Sequence, residues 1–512
     1  MSLLQEEETT NPNPNINSKT PPIPIPTLTS LDRKIRTLSS PELLSKERAL
    51  KHATLIMKSR SNSPFASPRP VASPRSIPGR ILGFHSYEPT GPDYTSFLSD
   101  EILLQVFRKV PVSHYVSNSL VCKRWLLIHG RLVQSIKVID FGFVNSGRAF
   151  TRFPNLENID IAHACIKMPR NSGILIARNN LSVYVGAKLL SGVFIEERDL
   201  LSSDLIDNGL ELFSKWYPNL RRIVVFGSSE NGLLCVSSKC KMLQELELHC
   251  CGDMSLMGIS GCRNLQVLKL IGCVDGFYNS VVSDIGLTIL AQGCRRLVKL
   301  ELCGCEGSYD GIKAIGQCCQ MLEELTIRDH RMDGGWLAAL SFCENLKTLR
   351  LQSCKSIDSS PGLLEHLGAC PTLEELHLQQ CQLRDKQAVK ALFLICKTVR
   401  EIVLQNCWGL EDEAFASATV CRRTRLFSLE GCSLLTTGGL ESVILNWKEL
   451  ERLTVISCNN VKDSEITPVL ATLFSVLKEL KWRPDSKSLL SAGLAGTGVG
   501  NKGGRFFKGL KV

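Results

Sequence analysis

The chain has 512 residues, a formal net charge of +10, 44% hydrophobic and 6% aromatic residues, and 22 cysteines. At about 150 residues per domain this length suggests three or four ordinary domains. Residue usage is too uneven for that: 14 of 22 prolines fall in residues 1–96, whereas 20 of 22 cysteines lie between Cys235 and Cys458.

The opening MSLLQEEETT is acidic and polar, so neither a secretory signal nor an organelle transit peptide is expected. No apolar run reaches the ~18 residues of a membrane span. Free cysteines then place the chain in a reducing compartment, nucleus or cytoplasm. Residues 1–96 carry a net +4 and residues 483–512 a net +5, which leaves +1 between them. The basic excess sits in the two tails. No concentrated basic face is visible, so neither nucleic acid nor membrane is an expected partner.

Residues 1–96 are rich in Pro and Ser, as in TPPIPIP (20–26) and the stretch 61–80, and read as a disordered arm. One helix is plausible inside it. Ser40 caps it, Pro41 takes its first position, and Leu43, Leu44, Leu50, Ala53 and Met57 share a side. Such isolated helices are marginal. Ser63, Ser67 and Ser73 each precede proline, which makes them accessible to proline-directed phosphorylation.

Residues 97–125 read FLSDEILLQVFRKVPVSHYVSNSLVCKRW. Leu98, Ile102, Val106 and Val110 fall at helical spacing, widened by Leu103 and Phe107. Ser99 suits the cap, Asp100 and Glu101 the first turn, and Pro111 stops the helix. A second short helix is expected to carry Leu120, Val121, Cys122 and Trp125. So small an apolar module needs a neighbour or a partner to cover it.

From Leu243 onward the pattern L-x-x-L-x-L-x-x-C recurs: Leu243, Leu246, Leu248, Cys251; Leu297, Leu300, Leu302, Cys305; Leu373, Leu376, Leu378, Cys381. Successive ninth positions from Cys251 to Asp485 are 22 to 32 residues apart, the period of a leucine-rich repeat. Weaker copies extend upstream to Leu220, Leu156 and Val133. A second cysteine stands eleven residues before the ninth position in eight units, Cys240 to Cys421. Sixteen cysteines thus mark repeat register and read as small buried hydrophobes. No C-x-x-C pair exists, so no closed zinc site is expected, and no cofactor. Asp207, Asp284, Asp310 and Asp412 precede apolar-periodic runs and are expected to cap those helices. Residues 165–210 hold an inserted or poor repeat that resists framing. Near the end, Gly498-Val-Gly500-Asn-Lys-Gly503 matches G-x-G-x-x-G without the flanking strand and helix of a dinucleotide site, and Arg505-Phe-Phe-Lys508 follows as a basic-aromatic peptide.

The expected fold is α/β: a leucine-rich-repeat solenoid with parallel strands on its concave face and helices on its convex face. The 97–125 segment resembles an F-box: a leucine, then Asp-Glu-Ile-Leu, Phe, Val-Pro and Leu-Val-Cys-Lys-Arg-Trp. Ser99 stands where the family's opening proline would be. The repeats are similar to the cysteine-containing repeats that follow F-boxes in many plant proteins. The organisation expected is a disordered arm (1–96), an F-box (97–140), repeats (141–485) and a Gly-rich basic tail (486–512). By that resemblance the F-box docks a Skp-type adaptor, and through it a cullin, in a ubiquitin ligase. The implied adaptor contacts are Leu98, Ile102, Leu103, Phe107, Val110, Pro111, Val121, Cys122 and Trp125, with Leu98, Pro111 and Trp125 favoured as partner-facing.

The chain shows no means of ubiquitin transfer of its own: there are no RING-type cysteine pairs, and most thiols sit in buried slots. It is therefore expected to be a non-catalytic substrate receptor. A target protein of unknown identity would meet the outward strand positions Arg328, Arg350, Gln352, His377, Gln379 and Gln405, with Glu324, Glu375 and Glu401 beside them. That mixed surface lacks the clustered Lys/Arg of a polyanion pocket. The alternative is a leucine-rich scaffold or inhibitor acting outside a ligase.

Overall fold

The computed structural model describes residues 93–167, 174–176, 200–272 and 282–485. The chain divides into two units, Met1–Pro74 and Arg75–Val512, and every described residue belongs to the second. The expected arm, its Ser40 helix, its Ser-Pro sites, the Gly498–Gly503 run and the Arg505–Lys508 peptide lie outside the described residues. No described helix is long and apolar enough to cross a membrane.

Three short helices come first: α1 (Asp100–Lys109), α2 (Tyr115–Ser119) and α3 (Lys123–Gly130). The Ser99 side chain accepts from the amide of Ile102, and Asp100 and Glu101 occupy the first turn, where carboxylates oppose the positive end of the helix. The expected second helix is split. Leu120 and Val121 sit in the turn between α2 and α3. Extended Cys122 caps α3, its sulfur accepting from the amide of Trp125 at 3.4 Å.

Sixteen strands follow: β1 (Ser135–Val138), β2 (Asn158–Asp160), β3 (Ile174–Ile176), β4 (Arg222–Phe226), β5 (Glu245–His249), β6 (Val267–Ile271), β7 (Lys299–Cys303), β8 (Glu306–Gly307), β9 (Glu324–Arg328), β10 (Arg331–Met332), β11 (Thr348–Gln352), β12 (Glu375–Gln379), β13 (Glu401–Gln405), β14 (Leu426–Glu430), β15 (Arg452–Ile456) and β16 (Glu479–Arg483). Fourteen form one sheet in the order β16-β15-β14-β13-β12-β11-β9-β7-β6-β5-β4-β2-β1-β3, while β8 and β10 pair apart. All neighbours in the long sheet run parallel except β3, which lies antiparallel on β1. This is the expected α/β leucine-rich-repeat solenoid. Register is strict: Leu325, Leu349, Leu376, Ile402, Phe427 and Leu453 form one row, and all are fully buried. A slip of one residue would expose a whole row.

After most strands the next residue turns into the left-handed region: Gly227, Cys250, Gly304, Asp329, Ser353, Gln380, Asn406, Gly431 and Ser457 have φ between 45° and 69°. That turn breaks the in–out alternation and returns the ninth-position cysteine to the core. There most of these thiols donate to a carbonyl of the preceding repeat: Cys381 to Leu351 O at 3.3 Å, Cys407 to Leu378 O at 3.4 Å and Cys458 to Leu429 O at 3.7 Å. The second cysteine row repeats the device, with Cys370 donating to Cys343 O at 3.5 Å and Cys421 to Cys396 O at 3.6 Å. Burial pushes the thiols of Cys319, Cys343 and Cys421 up to about 12, so they stay protonated and keep the proton they donate.

Of the expected aspartates, Asp207, Asp284 and Asp412 do cap helices, but not their own, while among the described residues the Asp310 carboxylate caps none and Ser308 caps that helix. Asp284 begins helix Asp284–Gly293, which Ser283 caps. The Asp284 carboxylate instead accepts from the amide and hydroxyl of Ser308, the cap of the next helix, at 2.7 and 2.6 Å. Asp253 does the same for Ser283 and Asp412 for Thr436, and Asp207 reaches Ser228 and Ser229. A side chain at the first helical position points back over the preceding turn and away from its own free amides, which brings it to the neighbouring helix. One repeat departs from strand-turn-helix. After β11 the sequence Ser359-Ser360-Pro361-Gly362 yields only the short 3-10 turn Leu364–His366.

Because Ser457 is exposed and left-handed (φ 54°), Ser457→Gly should leave the melting temperature unchanged or raise it. Ser457→Val should cost about 1–2 kcal/mol. Chemical denaturation of both variants checks the turn.

Candidate functional surfaces

The helical module has a core of its own. Leu103, Phe107 and Ile128 are buried, and Leu98, Leu104, Val110, Trp125 and Leu132 pack on them. Phe107 meets Trp125 edge-on at 4.8 Å and stacks on His129 at 4.1 Å. The nine adaptor-facing candidates therefore separate. Leu103 and Phe107 have no surface to offer and support the others from beneath. Leu98, Val110 and Trp125 are half-buried, while Ile102, Pro111, Val121 and Cys122 are exposed. Of the three favoured residues, only Pro111 stands fully in solvent.

Sequence reasoning passed over several neighbours. Phe97 (80% exposed), Val106, Val116 and Leu120 are also open, so seven large apolar or proline side chains are exposed within residues 97–121. So dense an exposed apolar group marks an interaction site. Another missed residue is Arg124. Its Nε lies 2.9 Å from Asp100 Oδ1, its Nη1 donates to Thr95 O at 3.0 Å, and it also donates to Leu98 O. It ties α3 to the start of α1 and sets the orientation of that face. Only the charge pattern Asp100/Arg124 hinted at this in the sequence.

The module is fastened to the first repeat. A Cβ on Gly130 would lie 1.7 Å from Arg152 O, so the end of α3 seats directly on helix Arg148–Arg152. Asn155 Nδ2 donates to Arg131 O at 2.8 Å.

On the sheet, outward residues form three rows, and their charges are spent largely on one another. Lys299 Nζ lies 2.8 Å from Glu324, Arg350 bridges Glu324 (3.3 Å) and Glu375 (3.7 Å), Arg328 meets Glu301 at 2.9 Å, and Arg452 spans to Glu401 at 3.0 Å. Burial opposes ionisation of Glu324, but the hydrogen bond from Lys299 and the charge of Arg350 hold its carboxyl below the usual range. Burial and the Arg350 charge push His377 below its ordinary value despite Glu375 at 3.4 Å, so His377 is a neutral hydrogen-bonding group at pH 7. Partly exposed pairs such as these add little stability.

The face differs along its length. Over β4 to β7 several outward positions, Val224, Phe226, His249, Ile271 and Cys303, are at 1% exposure or less, whereas Val267, Lys269, Lys299 and Glu301 are half-buried or exposed. Over β11 to β15 the outward positions are half-buried or exposed. All six substrate-facing candidates lie from β9 to β13: Gln379 is exposed, and Arg328, Arg350, Gln352, His377 and Gln405 are half-buried. Among the described residues no group of three or more His, Cys, Asp or Glu could hold a metal ion.

The sheet, its register and the thiol rows define a leucine-rich-repeat protein. No family model matches the chain. It is 26% identical over 368 residues to a transport inhibitor response 1-like protein of Oryza sativa subsp. japonica, covering 64% of this chain and 60% of that one. It is 28% identical over 234 residues to GRR1-like protein 1 of Arabidopsis thaliana, covering 42% of this chain and 36% of that one. The chain thus spans 60% or less of the length of these relatives. Solved structures similar to it include an internalin of Listeria monocytogenes (TM-score 0.30, 16% identity, 48% of this chain and 69% of that chain) and the TLR13–ssRNA13 complex (TM-score 0.38, 17% identity, 65% and 47%). The repeats, the helical module and the plant relatives together support the F-box/leucine-rich-repeat family.

Two outcomes follow from these surfaces. Neither ring nitrogen of buried His129 has a hydrogen-bond partner, and burial pushes its imidazole below the ordinary 6.5. The stability it contributes is full above pH 6.5. That contribution falls as pH drops through 6.5 toward the folded value, because the unfolded chain takes up the proton first. Between pH 7.5 and 5.5 the module's melting temperature should fall, and His129→Phe should flatten that dependence. In native thiol titration at pH 8, Cys122 should react first among the described cysteines, and Cys122→Ser should remove that phase, since most of the others are buried.

Proposed function

We propose that this chain is the non-catalytic substrate receptor of a Skp–cullin–F-box ubiquitin ligase. The observation that carries the reading is a small helical module with a dense exposed apolar face, seated through Gly130 on a solenoid whose far half is open and polar. An apolar face of this kind needs a partner to cover it, and the F-box resemblance names a Skp-type adaptor. Ile102, Pro111, Val121 and Cys122 make the direct contacts, with Leu98, Val110 and Trp125 at the margin and Leu103 and Phe107 beneath. The target protein lies against Arg328, Arg350, Gln352, His377, Gln379 and Gln405. Holding it beside an activated ubiquitin raises its effective concentration there. The chemistry of transfer belongs to other subunits. Retention of so many free thiols fits the nucleus or cytoplasm.

The test is co-purification. Ile102→Asp combined with Val121→Asp changes only exposed positions, so the melting temperature should stay within a few degrees of the parent while recovery of a Skp-type adaptor drops at least tenfold. Unchanged recovery would make the chain a leucine-rich scaffold acting outside a ligase.

A further inference from the structure

One stretch of the concave face is unlike the rest. On the last outward row, in register, stand Arg328, Gln352, Gln379, Gln405 and Glu430. The next residue of three of these strands adds a second, parallel column of Ser353, Gln380 and Asn406, each held left-handed at φ 52–53°. Beside it, the first outward row carries ion pairs such as Lys299–Glu324 and Arg452–Glu401. Here, over β11, β12 and β13, six consecutive side chains are uncharged amides and one hydroxyl, closed off by Arg328 at one end and Glu430 at the other.

Some side chains of this ladder are engaged with one another and two of its amides are not. Arg328 Nε donates to Gln352 Oε1 at 2.9 Å, and Gln405 Nε2 donates to Glu430 Oε2 at 3.4 Å. Ser353 Oγ donates to Gln380 Oε1 at 3.3 Å. The amides of Gln379 and Asn406 make no side-chain hydrogen bond among the described residues, and both are exposed, as is Gln380. Just past Asn406, Trp408 is 44% exposed. Its backbone is fixed by pairing with Gln382 and by exchange with Cys381 and Leu383. Leu434, 45% exposed, stands in the next repeat.

We propose that this amide ladder is a track for an extended peptide segment of the target protein, read through its main chain, with an apolar side chain of that peptide seated on Trp408. The proposal rests on the reading of the concave face as the target surface and names what that surface recognises. A side-chain amide offers one acceptor and two donors, so it can answer both the N–H and the C=O of a peptide bond whatever the peptide's sequence. Three rungs at ~4.8 Å spacing make a track of about 10 Å, the length of about three extended residues at ~3.3 Å each. A neutral track suits this use, because amides are desolvated at lower cost than charges. Charge complementarity points the same way. An uncharged window enclosed by self-paired charges repels neither sign but offers no cationic path for a phosphate backbone, which excludes single-stranded nucleic acid as the occupant. A rigid, half-exposed tryptophan beside the track supplies the anchor that side-chain selectivity requires.

The probe is a display library of linear 12-residue peptides panned on the full chain, with the enriched sequences synthesised in blocked form. The expected result is enrichment of peptides sharing one large apolar residue. Their affinity should fall at least tenfold with Gln379→Leu/Asn406→Leu, at least tenfold with Trp408→Ala, and comparably when the peptide's central amides are N-methylated. Met254→Ala, on an exposed helical position far from the ladder, should leave binding unchanged. All four positions are exposed, so melting temperatures should stay near the parent and report folding independently. The proposal is overturned if no peptide is enriched, if the double leucine variant or N-methylation leaves affinity unchanged, or if a 12-nucleotide RNA binds the ladder in place of peptide. Peptide binding needs no adaptor, so Ile102→Asp/Val121→Asp should not affect it. Failure of adaptor recovery alone therefore counts against the ligase reading, and failure at Gln379, Asn406 and Trp408 alone counts against the ladder.

Discussion

No repeat of this chain can bury its own leucines. Each supplies one strand and one short helical segment, and its apolar stripe is covered only when a neighbour stacks on it. Every other feature answers that constraint. The strands align to the residue so that rows such as Leu349–Leu376–Ile402 close without gaps. The left-handed residue at each strand end turns the cysteine into the seam, and the aspartates cross from one helix to the next cap. Removing a single buried leucine should cost about 2–5 kcal/mol by loss of packing and formation of a cavity. In a stack that loss is felt by both neighbouring repeats.

The polar side of the same sheet follows a different rule. Parallel strands bring side chains in register to within reach of one another, so any charge placed outward meets its neighbours whether or not a ligand is present. The resulting pairs hold Arg350, Lys299 and Glu324 in a mutually neutral mesh, and they leave recognition to the groups that cannot neutralise each other. Under the proposed reading, function on such a face would be carried less by its charges than by the interruption in them. The junction at Gly130 matters for a related reason. With the helix end pressed directly on Arg152 O, the module is seated on the first repeat, and under the proposed function that contact would hold target and adaptor in a fixed relation.

The repeat frame was legible in the sequence because its signal is redundant: leucines, two cysteine slots and a constant offset all report one register. The short helices of the module were legible from periodicity alone, but their division at Leu120-Val121 was not. A cysteine acting as a cap through its sulfur is too rare to predict. Asp207, Asp284 and Asp412 were correctly read as caps and assigned to the wrong helix, because the partner lies 21 to 24 residues away and only the stack brings it near; Asp310, read the same way, caps nothing among the described residues. For the surfaces, spacing identified which residues share a strand and which face outward. It could not show that Leu103 and Phe107 turn inward while Ile102 and Val121 remain open. Nor could it show that Phe226, His249 and Ile271, outward on β4 to β6, are buried, since burial depends on segments distant in sequence.

The thiol bonds and most of the aspartate bonds between repeats share a direction. Thiols donate backward, to the carbonyls of the preceding unit, and the aspartates accept from the unit that follows; Asp358, which accepts from the preceding Gly335 and Leu337, runs the other way. A cut anywhere in the stack would therefore leave two chemically unlike surfaces. Of these bonds, one side keeps mainly bare acceptors, which water hydrates readily. The other presents orphaned S–H, O–H and N–H donors. The solenoid in this sense has a sign along its axis, as a magnet cut in half has at each new face. Fragments of it should prefer to rejoin head to tail, and never head to head.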